Sequence, residues 1–294
     1  MRTRALALMA LTTALLATSA PAAPLANAFG SFNFTIDQLP AEQQVSLLQR
    51  LGYQGMTLAG LGPELLQSFA EVPAVARGEF AIWGALWWIN ADHKPLDTAW
   101  LDRLLPIAAK LRMGLWVVID GPKTDRDYAV GLLRQIADRA KPAGVPLILY
   151  PHQGCVFDCA QEAYEVWQAM DRPEVRLSLH LCHEIKAGRE ARVGEVLDKI
   201  TPLLSLVTIS GADTATMRTG GWEGAIMPLA RGDFDIRPFT REVVAHGYRG
   251  PIVLHTYGLT DPPEEHFAAS IAKWRTVSAE LGAEQQPNAP TAAK

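Results

Sequence analysis

The segments VPLILYPH (145–152), VRLSLHLCH (175–183) and PIVLHTY (251–257) decide how this chain folds. Each begins as a short apolar run with the length of a buried strand and then reaches one or two histidines. Four of the seven histidines stand at these strand ends, namely His152, His180, His183 and His255. In a barrel of parallel strands the carboxyl ends open onto one face, where functional side chains collect. The pattern therefore predicts a barrel with a histidine-lined mouth.

Apolar strand-like runs alternate with amphipathic helical stretches along the chain. The predicted strands lie at 31–36, 53–60, 79–89, 114–120, 145–150, 175–181, 204–210 and 251–257. The predicted helices lie near 40–51, 62–76, 97–112, 125–142, 158–171, 189–202, 237–246 and 263–281. Eight such units predict an α/β protein, a (β/α)8 barrel over residues 29–282. An open doubly wound sheet is the alternative, but no G-x-G-x-x-G motif follows the first strand.

The first residues have the composition of a secretory signal peptide. Arg2 and Arg4 precede an uncharged apolar stretch at 5–20, and small residues end two candidate cleavage sites, at Ala22 and Ala28. We predict a cleavable signal peptide over residues 1–28, with a retained membrane anchor as the alternative. The mature chain is then periplasmic or secreted, with no stable membrane association, because no other uncharged run approaches the roughly 18 residues that a spanning helix needs.

Composition disfavours some partners. The chain carries 31 acidic and 27 basic residues, and loss of the signal peptide removes two of the arginines and no acid. A mildly acidic protein with no basic run is a poor candidate for nucleic acid binding. Residues 283–294 are polar and contain prolines, which predicts a disordered tail. Three cysteines are too few for a disulfide scaffold, although Cys155 and Cys159 are near enough in sequence to pair.

The order of several motifs resembles that of the xylose isomerase-like barrels, also called sugar phosphate isomerases/epimerases, a group that includes the endonuclease IV type. The similar segments span nearly the whole mature chain. They are LGYQG (51–55), LILYPH (147–152), SLHLCHEIKAG (178–188), LVTISGAD (206–213), PLARGDFD (228–235) and GYRGPIVLHTYG (247–258). The resemblance implies a TIM barrel that acts on a small-molecule sugar.

The resemblance also implies a divalent metal at the barrel mouth, held by carboxylates and a histidine. This chain departs from that pattern. Tyr150 stands at the expected strand-five glutamate, His180 at the strand-six aspartate and His255 at the strand-eight glutamate, while Thr208 falls near the strand-seven histidine. His183 matches the histidine that follows strand six. The expected carboxylates are therefore absent, and two of them are replaced by imidazoles.

Imidazole ligands suit zinc, iron, copper or nickel better than magnesium. Three histidines with an open position form a known catalytic zinc arrangement. We therefore predict His152, His180 and His255 as ligands of a divalent metal (zinc, iron, manganese or nickel), with His183 as a fourth ligand or a neighbour. Metal-free contact of the histidines with sugar hydroxyls is an equally open hypothesis.

Three residues are candidates for acid/base chemistry. His183 and the adjacent Glu184 follow strand six, and Glu184 is the carboxylate nearest to the paired histidines. Asp120 ends strand four and could accept a proton, although an Asp before Gly-Pro is as often a turn former.

Four further residues are candidates for substrate contact. Trp88, near the end of strand three, could stack on a sugar ring, with a place in the core as the alternative. Tyr257 ends strand eight and offers a hydroxyl toward the mouth. Lys123 could steer the substrate, with a plain surface role as the alternative. Arg231 lies in the long connection after strand seven, where an internal Arg–Asp ion pair is the alternative.

These patterns favour an exported carbohydrate-active enzyme of the sugar isomerase/epimerase type. Such an enzyme moves a proton next to the carbonyl of a sugar or keto-sugar, and isomerisation, epimerisation and elimination share that chemistry. The alternative is a non-catalytic sugar-binding barrel that has lost the metal carboxylates. An endonuclease IV-like nuclease is disfavoured, because the chain lacks the carboxylates of a trinuclear zinc site.

Overall fold

Eight parallel strands form a closed barrel in the computed structural model, which describes residues 23–285. Each strand pairs with the next along the chain, and Gly30 on the first strand lies opposite Val253 on the last. The predicted (β/α)8 barrel is confirmed. The strands are β1 (Phe29–Phe32), β2 (Gly55–Leu58), β3 (Ala81–Asn90), β4 (Gly114–Asp120), β5 (Leu147–Leu149), β6 (Arg176–His180), β7 (Leu204–Ile209) and β8 (Ile252–Leu254).

The helices surround this barrel, and several connections contain more than one. They are α1 (Ala41–Leu51), α2 (Pro63–Ala70), α3 (Pro73–Ala76), α4 (Thr98–Leu111), α5 (Arg126–Ala140), α6 (Ala160–Met170), α7 (Leu181–Lys186), α8 (Gly194–Ile200), α9 (Trp222–Ala225), α10 (Arg237–Ala245) and α11 (Pro263–Gln285). The helix predicted over 62–76 is two helices. The strand predicted to end at Leu181 ends at His180, and α7 begins at once, so His183 and Glu184 lie on a helix rather than in a loop.

Large aromatic side chains fill the inside of the barrel. The indole of Trp83 packs against the backbone at the amino ends of β1 and β2, where Gly30 and Gly55 leave room for it: a Cβ on Gly30 would stand 2.1 Å from the indole. Higher up, Trp116 is fully buried and stacks on Tyr150 with ring centroids 4.7 Å apart. These side chains fill the barrel interior beneath its carboxyl end, and in such barrels ligands bind at the mouth.

The strands are apolar on both faces because helices cover the outside. In β4 every residue before Asp120 is buried, which is typical of parallel strands covered on both sides. Helix α5 supplies one such cover, since Leu133, Ile136 and Ala140 are buried at helical spacing. Burial of each large aliphatic side chain contributes about 1.5–3 kcal/mol to this packing.

The segment before β1 is part of the fold. The backbone N–H of Leu25 donates to the backbone oxygen and to Oγ of Ser278 on α11, at 3.1 and 3.0 Å. The Asn27 amide donates to the Gly250 carbonyl at 2.8 Å, and the Ala28 carbonyl accepts from the N–H of Ile252. Residues 1–22 of the predicted signal peptide lie outside the described residues. Cleavage after Ala28 would remove these contacts.

The last helix continues three residues into the segment predicted to be disordered. It ends at Gln285, and Glu284 forms an ion pair with Arg241 on α10 at 2.7 Å. Residues 286–294 of the predicted tail lie outside the described part of the chain. Among the helices of residues 23–285, none has both the length and the apolar character that crossing a membrane requires.

Candidate active site

A pocket of about 280 Å³ opens at the carboxyl ends of the strands. Most of its wall is made of aromatic rings, including three imidazoles, and none of the residues that line it is a carboxylate, a lysine or an arginine. Such a wall suits an uncharged ligand that presents a flat or apolar face. The wall consists of Phe34, Leu86, Trp88, Tyr150, His152, His183, Trp222, Ile226, His255 and Tyr257.

Two aromatic side chains form the rim of the pocket. Trp88 is 43% exposed and Tyr257 is 48% exposed, which is high for side chains of this size. The Trp88 indole N–H donates to Asp120 at 3.1 Å, and the ring of Phe34 meets Tyr257 edge-on at 5.3 Å. Both rings are held in place while their faces remain accessible. Rings with accessible faces can stack on a sugar ring.

The floor of the pocket is a phenol held by two imidazoles. Tyr150 Oη lies 3.1 Å from His255 Nε2 and 3.4 Å from His183 Nε2. Backbone N–H groups occupy the opposite ring nitrogens: Gln153 donates to His183 Nδ1 at 3.2 Å, and Tyr257 donates to His255 Nδ1 at 3.4 Å. A neutral imidazole has one donor and one acceptor nitrogen. Both rings therefore carry their proton on Nε2 and donate it to Tyr150.

Burial keeps all three floor groups uncharged. It lowers the pKa of His183 well below the usual range, with smaller contributions from the neighbouring histidines, and it lowers the pKa of His255 to about 3. Burial also raises the pKa of the Tyr150 phenol well above its usual range. A phenol oxygen has two lone pairs and one hydrogen. Since the imidazoles use both lone pairs, the Tyr150 O–H is left to bond a ligand.

His152 is the pocket histidine with an accessible lone pair. Its Nδ1 lies 3.0 Å from the Gln153 carbonyl, which can only accept, so Nδ1 carries the proton. Its Nε2 has no hydrogen-bond partner among residues 23–285. Trp88 and Trp222 flank the ring at 4.8 and 5.5 Å. Burial lowers the pKa of His152, so the free imidazole is neutral near pH 7 and can accept a proton.

His180 lies beneath the pocket and uses both of its ring nitrogens. Nε2 bonds Ser178 Oγ at 2.7 Å, and Nδ1 bonds Thr208 Oγ1 at 3.0 Å. The ring stacks on Tyr150 with centroids 3.8 Å apart and planes only 16° from parallel. His180 therefore supports the Tyr150 ring and offers no lone pair to a ligand.

The histidines do not gather as the predicted metal site requires. The side chains whose ligand atoms lie within 4.8 Å of one another are Cys182, His183 and His255, rather than the predicted His152, His180 and His255. This His/Cys group is geometrically able to surround an ion. Its donors do not fit one, because both imidazoles direct Nε2–H toward Tyr150, and burial raises the pKa of the Cys182 thiol to about 12.

The two predicted catalytic carboxylates lie outside the pocket wall. Glu184 is buried, and its Oε1 accepts the N–H of Ala160, the first residue of α6, at 2.7 Å. A carboxylate at this position interacts favourably with the helix dipole. Asp120 accepts the bond from Trp88 described above. Each carboxylate positions a neighbouring element, and neither is placed to reach a ligand directly.

The predicted substrate contacts Lys123 and Arg231 are engaged elsewhere. Lys123 lies 2.8 Å from Asp158 and 2.6 Å from Glu162. Arg231 makes a bidentate pair with Asp261, with N···O distances of 3.0 and 2.6 Å. Neither side chain belongs to the pocket wall. The hypothesis of an ion pair for Arg231 agrees with this contact, although its partner is outside the predicted loop.

All three cysteines are free and buried. Cys155 Sγ lies 3.4 Å from His152 Nδ1 and 3.8 Å from Asp120 Oδ1. Burial raises the pKa of this thiol to about 12, with a further contribution from Asp120. The thiol is therefore neutral and fills the space between the carboxylate and the ring.

Sequence reasoning missed the part of the wall that comes from α9. Trp222 lies there, in the long connection after β7. Lys186 on α7 fastens this segment: its Nζ donates to the carbonyls of Gly220 and Gly221 at 2.6 and 2.9 Å and lies 5.6 Å from the centre of the indole. The length of the connection was the only signal for Trp222. Phe34 lies two residues beyond β1, although the sequence predicted it inside strand one (31–36), and no sequence signal indicated its place in the pocket.

Comparisons with known proteins place this barrel in context. The sequence matches the model of a family described as xylose isomerase-like TIM barrel over residues 24–277. No curated protein sequence matches it significantly. The fold is similar to 3-keto-D-glucoside 4-epimerase from E. coli in its apo form, with 14% identity and a TM-score of 0.65 over 85% of this chain and 99% of that one.

Two other similar structures contain a metal. One is a xylose isomerase-like TIM barrel protein from Mycobacterium smegmatis in complex with magnesium, at 18% identity and TM-score 0.60, covering 88% of this chain and 97% of that one. The other is the IOLI protein with a zinc atom, at 15% identity and TM-score 0.63, covering 86% and 99%. At these identities the similarity shows a shared fold.

Substitution of Ser178 tests the support beneath the floor. Ser178 Oγ accepts the Trp116 indole N–H at 2.7 Å and donates to the Leu149 carbonyl at 2.9 Å, in addition to bonding His180. Ser178→Ala leaves buried polar groups unpaired, at about 1–3 kcal/mol each. We expect the free energy of unfolding, measured in urea, to fall by about 2–4 kcal/mol. The control Ser68→Ala, at an exposed serine, should stay within about 0.5 kcal/mol; an equally small effect for Ser178→Ala would contradict the assignment.

The buried carboxyl of Glu184 predicts a pH dependence of stability. Burial raises its pKa to about 7, opposed by the Ala160 N–H and by Arg189, whereas an unfolded chain has a Glu pKa of roughly 4.3. Between these values the folded state binds more protons than the unfolded state. The free energy of unfolding therefore falls as pH rises from about 4.3 to 7, by up to about 3 kcal/mol.

Glu184→Gln should abolish this contribution, because the amide oxygen can still accept from Ala160 but does not titrate. Urea unfolding curves at several pH values measure the slope. The exposed Glu195 provides the control, and Glu195→Gln should keep the slope between pH 4.3 and 7. The assignment is wrong if Glu184→Gln and the native chain have the same slope.

Proposed function

Because the chain belongs to the xylose isomerase-like TIM barrel family, we propose that it is an enzyme that acts on a small sugar or keto-sugar by moving a proton on a carbon next to a carbonyl. The observation that carries this proposal is the accessible Nε2 of His152 in a pocket otherwise walled by uncharged rings. An imidazole with a free lone pair, oriented through its other nitrogen, is a typical general base.

The proton transfer uses the residues on the pocket wall. The substrate ring lies against Trp88 or Tyr257 at the rim, which brings a carbon next to its carbonyl toward His152. His152 Nε2 takes the proton, the C–H electron pair forms a carbon–carbon double bond, and the carbonyl π pair moves to the oxygen, which becomes an enolate oxygen. Return of the proton to the same carbon gives epimerisation. Its return to the former carbonyl carbon, with transfer of the adjacent hydroxyl proton to the former carbonyl oxygen, gives isomerisation, and departure of a leaving group with its electron pair gives elimination. The name of the E. coli relative, a 3-keto-D-glucoside 4-epimerase, supports this class.

The proposed substrate is unphosphorylated. A phosphate group needs cationic side chains or a set of backbone N–H donors. No lysine or arginine lines the pocket in the described part of the chain, and Lys123 and Arg231 are paired with carboxylates elsewhere. A neutral sugar or keto-sugar matches this wall better.

Exchange of substrate hydrogen with solvent deuterium tests the proposal. The purified protein is incubated in D₂O with a panel of aldoses, ketoses and 3-keto-glycosides, and incorporation is measured by NMR. We expect exchange next to a carbonyl for at least one of them, and a loss of about 100-fold or more in His152→Ala. His246→Ala, at the end of α10 and so on the opposite side of the barrel, should leave the rate unchanged.

A different outcome favours the alternative function. If sugars bind, as measured by calorimetry, and none of them exchanges hydrogen, the protein is a sugar-binding barrel without catalysis. The absence of carboxylates from the pocket wall is the observation that favours this alternative. If hydrogen exchange persists in His152→Ala, the protein is still an enzyme, but the assignment of His152 as its general base is wrong.

We also propose that the chain is exported to the periplasm or secreted. The charged and apolar character of residues 1–20 supports this, and the contacts of Leu25 and Asn27 favour cleavage after Ala22 rather than after Ala28. Expression of the full chain in a Gram-negative host, followed by intact-mass measurement of the periplasmic fraction, should give a mature protein that begins at Ala23. A full-length mass in the cytoplasm would refute export, and a start at Phe29 would refute this cleavage site.

A further inference from the structure

Tyr150 contacts both imidazoles of the candidate His/Cys group. Its Oη contacts Nε2 of both His183 and His255, the two imidazoles in the candidate His/Cys group. Tyr150 also follows β5 directly, at the position where the resemblance to relatives places a carboxylate. The phenol oxygen thus stands among the side chains that could otherwise surround an ion.

The hydrogen bonds of the two imidazoles exclude them as ligands in this arrangement. A metal binds the lone pair of an imidazole nitrogen, and the other nitrogen then carries the proton and donates it. Here the Nδ1 atoms accept backbone N–H groups from Gln153 and Tyr257, so the lone pairs point away from the pocket. If an ion bound Nε2 of these rings, each ring would carry its proton on Nδ1. Each Nδ1–H would then face a backbone N–H, and both backbone hydrogen bonds would be lost.

The charge of the pocket also disfavours a metal ion. A divalent cation taken from water into a buried site needs ligand lone pairs that point at it, and anionic ligands would also compensate its charge. The wall contains no carboxylate, and the buried carboxyl of Glu184 is directed to the N-terminus of α6. The donor set of this pocket therefore disagrees with the metal that some relatives carry.

We infer that the Tyr150 hydroxyl takes the place of the metal and polarises the substrate carbonyl. This inference rests on the proposed function. The Tyr150 O–H, free of any partner among the described residues, donates to the carbonyl oxygen. As His152 removes the neighbouring C–H proton, the C–H pair forms the carbon–carbon double bond and the carbonyl π pair moves to the oxygen. Tyr150 stabilises that oxygen, and His152 becomes the imidazolium that later returns the proton.

The two imidazole N–H groups make the phenol a better donor. They point at Oη and stabilise the negative charge that it acquires as its hydrogen moves toward the substrate oxygen. Their directions are fixed by the backbone before the substrate binds, so no reorganisation is needed during the reaction. The stack of Tyr150 on His180 fixes the orientation of the phenol ring. His183 and His255 are positioning residues in this scheme, and Tyr150 and His152 are the catalytic ones.

The first test determines the tautomers of the two imidazoles and needs no substrate. Histidine ¹⁵N NMR of the purified protein, assigned with His183→Gln and His255→Gln, distinguishes a proton on Nε2 from one on Nδ1. We expect both residues to be Nε2–H tautomers, and the spectrum to stay unchanged when zinc, manganese or nickel is added in equal amount. A shift of either residue to the Nδ1–H form on addition of metal, or stoichiometric metal in the purified protein, would overturn the inference.

The second test measures catalysis. Hydrogen exchange of the substrate found above should survive chelators and should fall by about 100-fold or more in Tyr150→Phe, as for loss of one oxyanion donor. The fall should be in kcat more than in KM. Tyr164→Phe, at a tyrosine on the outer helix α6, is the control with unchanged rate. Retained exchange in Tyr150→Phe, or loss of exchange with chelator, would refute the role of Tyr150.

The two tests separate failure of this inference from failure of the proposed function. If the native protein catalyses hydrogen exchange on none of the sugars in the panel, the proposed function is wrong, and the proposed catalytic role of Tyr150 is wrong as well. The NMR result then decides whether the floor of the pocket is still a donor site or a metal site. If exchange occurs and needs a metal, the function stands and only the inference is wrong.

Discussion

The hydrogen bond between the Trp116 indole N–H and Ser178 Oγ is the contact on which the site depends. It fixes a fully buried tryptophan side chain in the packed interior of the barrel. The same hydroxyl bonds His180, whose ring, together with that of Trp116, supports the phenol of Tyr150. A buried indole without this partner would have an unsatisfied N–H. The floor of the pocket is therefore positioned by polar contacts inside the buried interior of the barrel.

The fold could be predicted from the sequence because it depends on the periodicity of apolar residues and on the order of strand-like and helical segments. Eight apolar runs separated by amphipathic stretches are enough to indicate a barrel, and each run contains the strand that the structure shows or overlaps with it. Sequence reasoning missed α7 as well as α9. Leu181 continues the apolar pattern of β6, so periodicity alone cannot show that the strand ends at His180 and a helix begins. That one boundary moved His183 from a loop onto a helix that faces the pocket.

The location of the site could be predicted, but the roles of its residues could not. Strand ends lie at the barrel mouth in any such fold, and this is why His152, His183 and His255 meet there. What each ring can do depends on which backbone group faces its second nitrogen. His152 faces a carbonyl, whereas His183 and His255 face N–H groups, and no spacing in the sequence encodes that difference. The same limit applies to Lys123, whose neutralising partners lie 35 or more residues away.

The contact of Leu25 with Ser278 joins residues 253 positions apart, near the two ends of the barrel sequence. A chain that emerges amino end first cannot form this contact, or the pairing of β1 with β8, until its last helix is available. The edge of β1 that pairs with β8 therefore stays without its partner until the carboxyl-terminal part of the chain has been made. Because contacts between distant residues form only after a long loop has closed, closure of the barrel comes after the pairing of strands that are neighbours in sequence.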